Sequence, residues 1–165
     1  MIRHKTIARQ KHIKSQGRQF VLMIKNCVDV ALDYLGVNAP CEVSVLITGD
    51  RIIQEINKEF RGIDKATDVL SFPMHEFSEP GWTKRLRDEA DPETGLVPLG
   101  EIVISVEKVA RQARRLKHSL EQEAAYLTVH SVLHLLGYDH NKAPDKKLMR
   151  KLEKRIMKEL GFFND

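Results

Sequence analysis

The stretch HSVLHLLGYDH, residues 130–140, places three of the chain's seven histidines within eleven residues. His130 and His134 are four residues apart on a predicted helix, so their side chains project from one face. Gly137 tolerates a left-handed backbone and lets the chain reverse, which brings His140 back to the same point. Three neutral imidazoles predict a metal site with the fourth tetrahedral position open to water, which is typical of catalytic zinc.

The spacing of these histidines matches the ligand frame of the metzincin proteases, H-E-x-x-H-x-x-G-x-x-H. One position differs, because the glutamate that serves those proteases as general base is Ser131 here. A serine hydroxyl cannot take up a proton near neutral pH. The sequence therefore predicts a zincin-like metal site, on a helix and the turn after it, without the peptidase base. The alternative is that His130 and His134 are hydrogen-bonded core histidines and His140 is incidental.

Length and composition favour a single domain over residues 1–165, since 42% of the residues are hydrophobic. No apolar run approaches the roughly 18 residues of a membrane span. The N-terminus also lacks the apolar segment of a signal peptide. Cys27 and Cys41 are too few for a disulfide framework and are predicted to be buried free thiols. These features predict a protein of the reducing cytoplasm that does not enter membranes.

Apolar periodicity predicts the element order α-β-α-β-β-α-α-α, an α+β domain with helices packed on a small sheet. The predicted helices cover 18–35, 50–62, 105–117, 119–136 and 144–161, and the predicted strands cover 41–48, 67–72 and 100–105. Residues 1–15 are basic and are expected to be a mobile segment or an added arm. Residues 74–98 lack periodicity and lean acidic, which is typical of a functional or mobile loop.

The formal net charge is +4, and its distribution is uneven. Residues 1–28 carry seven Lys or Arg and no acid, and residues 108–117 also lack acids. Lys108, Arg111 and Arg115 follow helical spacing and share one predicted face. Clusters of one sign attract polyanions such as nucleic acid. The alternative is a solvated face that keeps the protein soluble.

Three blocks of the chain together resemble the YbeY endoribonuclease family. HSVLHLLGYDH fits that family's pattern H-G-x-L-H-L-x-G-Y-D-H, with Ser131 as the departure. NKEFRGIDKATDVLSFP at 57–73 and LGEIVIS at 99–105 match in the same order and spacing. Ala66 stands where the family often has proline, and Glu101 where aspartate is commoner. The resemblance covers about residues 20–160 and leaves the basic N-terminal arm outside.

The resemblance implies a cytoplasmic, zinc-dependent endoribonuclease specific for single-stranded RNA. It implies a role in maturing ribosomal RNA, notably the 3′ end of small-subunit 16S rRNA, and in ribosome quality control. It also implies a roughly four-stranded mixed sheet beside the histidine helix, and one metal ion per chain. Zinc is expected, although other divalent ions also accept three imidazoles.

Other residues are predicted to assist these histidines. The arginine that the family uses in its FRG segment corresponds to Arg61, which could contact two phosphate oxygens with its planar fork. Asp68 and Asp139 are expected to orient a histidine through its second nitrogen, although Asp139 could equally make a turn. The Lys108, Arg111 and Arg115 face is expected to bind RNA backbone without reading sequence. A metallopeptidase and a non-catalytic ribosome-binding module remain as alternative functions.

Overall fold

The computed structural model of the chain describes residues 2–81, 83 and 85–163. Its strands are β1 (Lys5–Gln10), β2 (Cys41–Thr48), β3 (Val69–Pro73) and β4 (Val97–Ser105). They form one sheet in the order β1-β2-β4-β3. β2 runs parallel to β1 and to β4, whereas β3 pairs antiparallel with β4. The predicted α+β class with a four-stranded mixed sheet is confirmed.

Five α-helices accompany the sheet, close to the positions that the sequence predicts. They are α1 (Arg18–Tyr34), α2 (Asp50–Arg61), α3 (Val106–Leu116), α4 (Leu120–Leu135) and α5 (Ala143–Glu159). Two serines begin helices by accepting hydrogen bonds from backbone amides. Ser105 accepts from Lys108 N at 3.3 Å, and Ser119 accepts from Gln122 N at 3.0 Å. Local capping therefore fixes where α3 and α4 start.

The two faces of the sheet pack against different helices. Val43, Val45 and Ile47 of β2 join the main core, to which α1 and α4 contribute most of the helical side chains. Val103 of β4 faces the other way, into a smaller cluster with Ile53 of α2. α4 contacts α1, α3, α5 and β3, so it is enclosed on nearly every side. A polar side chain on α4 therefore needs a partner or a function.

The predicted element order lacks β1. Residues 5–10 form an edge strand of the sheet, not the mobile segment or added arm that the sequence predicts. KTIARQ gives no strict alternation, so its sequence carries little strand signal. The strand forms because β2 offers a parallel ladder, with Thr6 opposite Val43 and Ala8 opposite Val45. His4 strengthens this junction, since its Nδ1 accepts a hydrogen bond from Cys41 N at 3.1 Å.

The cysteine prediction is confirmed, since Cys27 and Cys41 are both free and buried. Burial raises the pKa of each thiol to about 12. Both side chains therefore stay protonated and unreactive at neutral pH. In the part of the chain that is described, no helix is long and apolar enough to cross a bilayer.

Candidate metal centre

The three histidines of the 130–140 stretch converge at the C-terminal end of α4. His130 and His134 lie one turn apart, and their Nε2 atoms are 3.0 Å from each other. His140 lies beyond the turn, with its ring centroid 5.2 Å from that of His134. One nitrogen from each residue can be chosen so that all lie within 4.8 Å of one another. This arrangement could hold a metal ion.

Hydrogen bonds at the far side of two rings determine which nitrogens face the centre. His134 Nδ1 lies 3.0 Å from Tyr138 O, and a carbonyl only accepts, so Nδ1 carries the proton. His130 Nδ1 lies 3.4 Å from Glu153 Oε1, where a carboxylate imposes the same tautomer. When both rings are neutral, the two Nε2 atoms therefore point lone pairs at each other across 3.0 Å. Such lone pairs repel unless a cation lies between them, so these donors fit a metal ion.

Electrostatics also favour the ligating form of His134. Burial lowers the pKa of this imidazole below its usual value, and the neighbouring His130 lowers it further. The ring therefore stays neutral to a lower pH than a histidine in solution. Metal ions bind the neutral imidazole, so the lowered pKa of His134 reduces the competition between protons and a metal ion.

The turn after α4 returns His140 to the other two histidines. Gly137 has a φ of +90°, which favours glycine, and a Cβ there would also lie in a tight contact, 3.2 Å from side-chain atoms of Phe77. Asp139 Oδ1 accepts from His140 N, and Asp139 Oδ2 accepts from Asn141 Nδ2, each at 2.7 Å. Asp139 thus builds the turn, which is the second of the two roles that the sequence left open.

Glu153 is a site residue that the sequence analysis missed. It lies on α5, and only 4% of its side chain is exposed, yet it contacts His130. Burial raises the pKa of a carboxylate, but hydrogen bonds from His130 and Tyr126 and the charge of Arg150 outweigh it, so the pKa of Glu153 is below its usual value. The available signal was an acid at helical spacing from the buried Met149 and Ile156.

An open cleft of about 680 Å³ passes over the three histidines. Residues from β3, from the end of α2 and from the turn after α4 line it. They are Arg61, Asp68, Val69, Leu70, Ser71, Pro73, His130, His134, Gly137, Tyr138, Asp139, His140 and Asn141. The fold therefore brings the predicted ligands, Arg61, Asp68 and Asp139 to one cleft, although they come from three parts of the chain.

Comparison with known proteins agrees with this architecture. A family model described as Endoribonuclease YbeY matches residues 5–161. The chain belongs to this family. The match begins at β1, so it reaches further toward the N-terminus than the resemblance over 20–160 suggests, and it takes in most of the expected arm.

Curated relatives named Endoribonuclease YbeY, and a solved structure of similar fold, cover most of the chain. Endoribonuclease YbeY of Clostridium botulinum strain Loch Maree is 44% identical over 155 residues, 91% of this chain and 93% of the relative. The same-named protein of Caldicellulosiruptor bescii is 52% identical over 120 residues, 73% of each chain. The solution structure of TM1509 from Thermotoga maritima aligns with a TM-score of 0.60 at 26% identity, covering 97% of this chain and 89% of that one.

Asp68 lines the cleft, and within the described part of the chain its carboxylate bonds to residues other than histidine. Its carboxylate accepts hydrogen bonds from Gln112 Nε2 at 3.1 Å, from Val69 N at 2.8 Å and from Thr67 Oγ1 at 3.2 Å. These bonds tie the start of β3 to α3. Asp68 therefore positions the cleft wall, whereas Glu153 contacts His130.

The basic face predicted on α3 lies outside the cleft lining. Arg111 Nη2 forms an ion pair with Asp50 Oδ2 at 2.7 Å, and that carboxylate also accepts from Ser105 Oγ. Pairing with an acid reduces the attraction that Arg111 offers to a polyanion. Lys108 is partly buried and Arg115 is exposed, and both are likewise absent from the cleft wall. Their contact with RNA stays a prediction.

Proposed function

We propose that this chain is a zinc-dependent endoribonuclease that cuts single-stranded RNA, with the metal held by His130, His134 and His140. Within the family's activity, we assign it to maturation of ribosomal RNA, including the 3′ end of small-subunit 16S rRNA, and to ribosome quality control in the cytoplasm. The observation that carries the proposal is the convergence of three imidazole nitrogens in a cleft that also presents Arg61.

The donor set supports zinc as the metal. Three neutral imidazoles that leave one position open are a common catalytic zinc set, although other divalent ions accept them too. A metal bound there supplies Lewis-acid polarisation of a phosphoryl oxygen and activation of water. Glu153 and the Tyr138 carbonyl hold two of the rings so that Nε2 faces the centre. Such fixed orientation lowers the cost of ordering the ligands.

Arg61 supplies positive charge across the cleft from the histidines. Its side chain is exposed at the last residue of α2, and Gly62 ends that helix with a φ of +70°. Among described residues it forms no ion pair, unlike Arg51, which contacts Glu55 at 3.2 Å. A free guanidinium can donate two parallel hydrogen bonds to a phosphate. Arg61 therefore serves to bind the scissile phosphate and offset the charge that develops on it.

The metallopeptidase alternative meets an obstacle at Ser131. A peptidase of this ligand frame needs a base at that position, next to the first histidine. Ser131 is fully buried and does not line the cleft. It is neither basic nor in contact with solvent, so the chain has no substitute for the peptidase glutamate at that point.

One preparation separates the three functions. The purified protein is analysed for metal and is then offered single-stranded RNA, duplex RNA and casein. We expect about one metal ion per chain, cleavage of the single-stranded RNA, and loss of cleavage on chelation that zinc restores. Cleavage of casein would favour the peptidase. RNA binding without cleavage, unchanged by chelation, would favour the non-catalytic ribosome-binding module.

A further inference from the structure

A second cavity, of about 210 Å³, lies beside the histidines on the side of α5. His130 and His140 line both this cavity and the main cleft, whereas Arg61 lines only the main cleft. α5 contributes Lys146 and Arg150 to the second cavity. The histidine cluster therefore lies between two places that present positive charge.

Lys146 and Arg150 are four residues apart on α5, so their side chains lie on the same face of the helix. Both residues are exposed. Among the described residues, neither forms an ion pair, whereas Arg111 is paired with Asp50. The buried Glu153 lies in the same cavity, but its carboxylate already contacts His130. Balancing Glu153 could account for Arg150, and it does not account for Lys146.

We propose that Lys146 and Arg150 form a phosphate subsite for the RNA strand, so that the strand crosses the histidines from Arg61 to α5. This inference rests on the proposed function. Phosphates recur at every nucleotide, so a strand with one phosphate at Arg61 must place further phosphates beyond it. Two cationic side chains beside His140 meet that need without reading bases. The subsite therefore takes the ribose-phosphate backbone of single-stranded RNA and sets its path.

The test measures binding of a fluorescent 2′-O-methyl RNA, which lacks the free 2′-hydroxyl, by anisotropy across a salt series. The double variant Lys146→Gln, Arg150→Gln (the first pair) is compared with the double variant Lys147→Gln, Lys151→Gln (the control pair). The control pair has the same spacing on the same helix and removes the same charge, but it lines neither cavity. For a ten-nucleotide strand we expect the first pair to weaken binding roughly tenfold and to make the logarithmic salt slope shallower by about 1.4.

The control pair should change both quantities much less. A two-nucleotide RNA has one internal phosphate, which Arg61 and the metal centre bind. The two double variants should therefore bind this RNA with equal affinity. Equal losses from the two pairs with the ten-nucleotide strand would overturn the subsite and return α5 to a solvated face. If the first pair lost more affinity than the control pair by the same factor with both strand lengths, the proposed path would be overturned. Thermal unfolding of each variant checks that the fold is kept, as expected for exposed positions.

Failure of the subsite is distinguishable from failure of the proposed function. Binding is measured on a strand that is not cut, and cleavage is measured separately with the wild-type protein. If wild type cuts RNA and the two pairs bind alike, only the subsite is wrong. If wild type cuts no RNA and the first pair still loses affinity selectively, the subsite is supported and the catalytic proposal is wrong.

Discussion

Glu153 Oε1 lies 3.4 Å from His130 Nδ1, across the contact between α5 and α4. The side chain of Glu153 is almost fully buried, and an ionised carboxylate in such a place is costly unless it is paired. Its position therefore couples the packing of α5 to the orientation of a proposed metal ligand. The relationship gives α5 a role at the centre although it supplies none of the three histidines.

Glu153→Gln should weaken metal binding by about tenfold to a hundredfold, the usual range for partners of ligand histidines. The amide keeps the shape of the side chain but loses the charge that favours a protonated Nδ1 on His130. The measurement is zinc affinity by competition with a chelating dye. Glu121→Gln, which changes an exposed acid on α4, is the control and should bind as wild type. Unchanged affinity in Glu153→Gln would reduce Glu153 to a packing residue.

His134→Ala should lose most of the metal and most of the RNA cleavage, because it removes one of three proposed ligands. Metal content by elemental analysis and cleavage of a single-stranded RNA give the two readouts. His12→Asn is a suitable control, since His12 is exposed outside the cleft and its φ of +59° is one that asparagine tolerates. Full zinc occupancy in His134→Ala would contradict the ligand assignment.

The sequence predicts the histidine centre well because its information is local. One helical turn places His130 near His134, and one glycine reverses the chain, so eleven residues define most of the geometry. The helices were predictable for the same reason, through periodicity and the serine caps. Arg61 was placed by resemblance, and the fold then brings it to the same cleft.

Contacts between distant segments could not be predicted from the sequence. Glu153 follows His130 by 23 residues and meets it only because α5 packs on α4. Asp68 was expected at a histidine, yet it pairs with Gln112, 44 residues away. β1 exists because β2 offers a ladder to it, and its own six residues lack a clear pattern. In each case tertiary packing determines the contact, and the local propensity of the segment does not predict it.

Arg61→Ala should lower RNA cleavage by roughly tenfold or more, which corresponds to about 1.4 kcal/mol of lost transition-state stabilisation, while metal content stays near wild type. Arg61→Lys should restore cleavage only in part, because an ammonium cannot reproduce a two-pronged contact with phosphate. Arg51→Ala removes an exposed arginine from the same helix and serves as the control. Turnover equal to wild type in both Arg61 variants would make Arg61 an ordinary surface residue.

Replacing Lys108, Arg111 and Arg115 with Gln should weaken binding of every single-stranded sequence and make the salt slope shallower. The ion pair between Arg111 and Asp50 reduces the effect, so the change should be smaller than that from Lys146 and Arg150 together. The measurement is the same anisotropy series with 2′-O-methyl RNA. Affinity and slope equal to wild type would show that the α3 face only aids solubility.

His4 should make the stability of the fold depend on pH. Burial lowers the pKa of His4 below 6.5, and the nearby Asp33 and Asp29 oppose this shift only in part. His4 Nδ1 accepts the hydrogen bond from Cys41 N, so it must be unprotonated to join β1 to the start of β2. The unfolded chain takes up the proton near its usual pKa, whereas the folded chain resists until a lower pH.

Between those two pKa values the unfolded state binds more protons, so the free energy of unfolding falls as the pH falls through that window. His4→Asn keeps an acceptor near Cys41 N but does not titrate there. We therefore expect the Tm of the variant to fall less steeply than that of wild type as the pH is lowered from 7 toward 5, about the range in which histidine titrates. His12→Asn should keep the wild-type slope. Parallel curves for wild type and His4→Asn would show that His4 does not control acid stability.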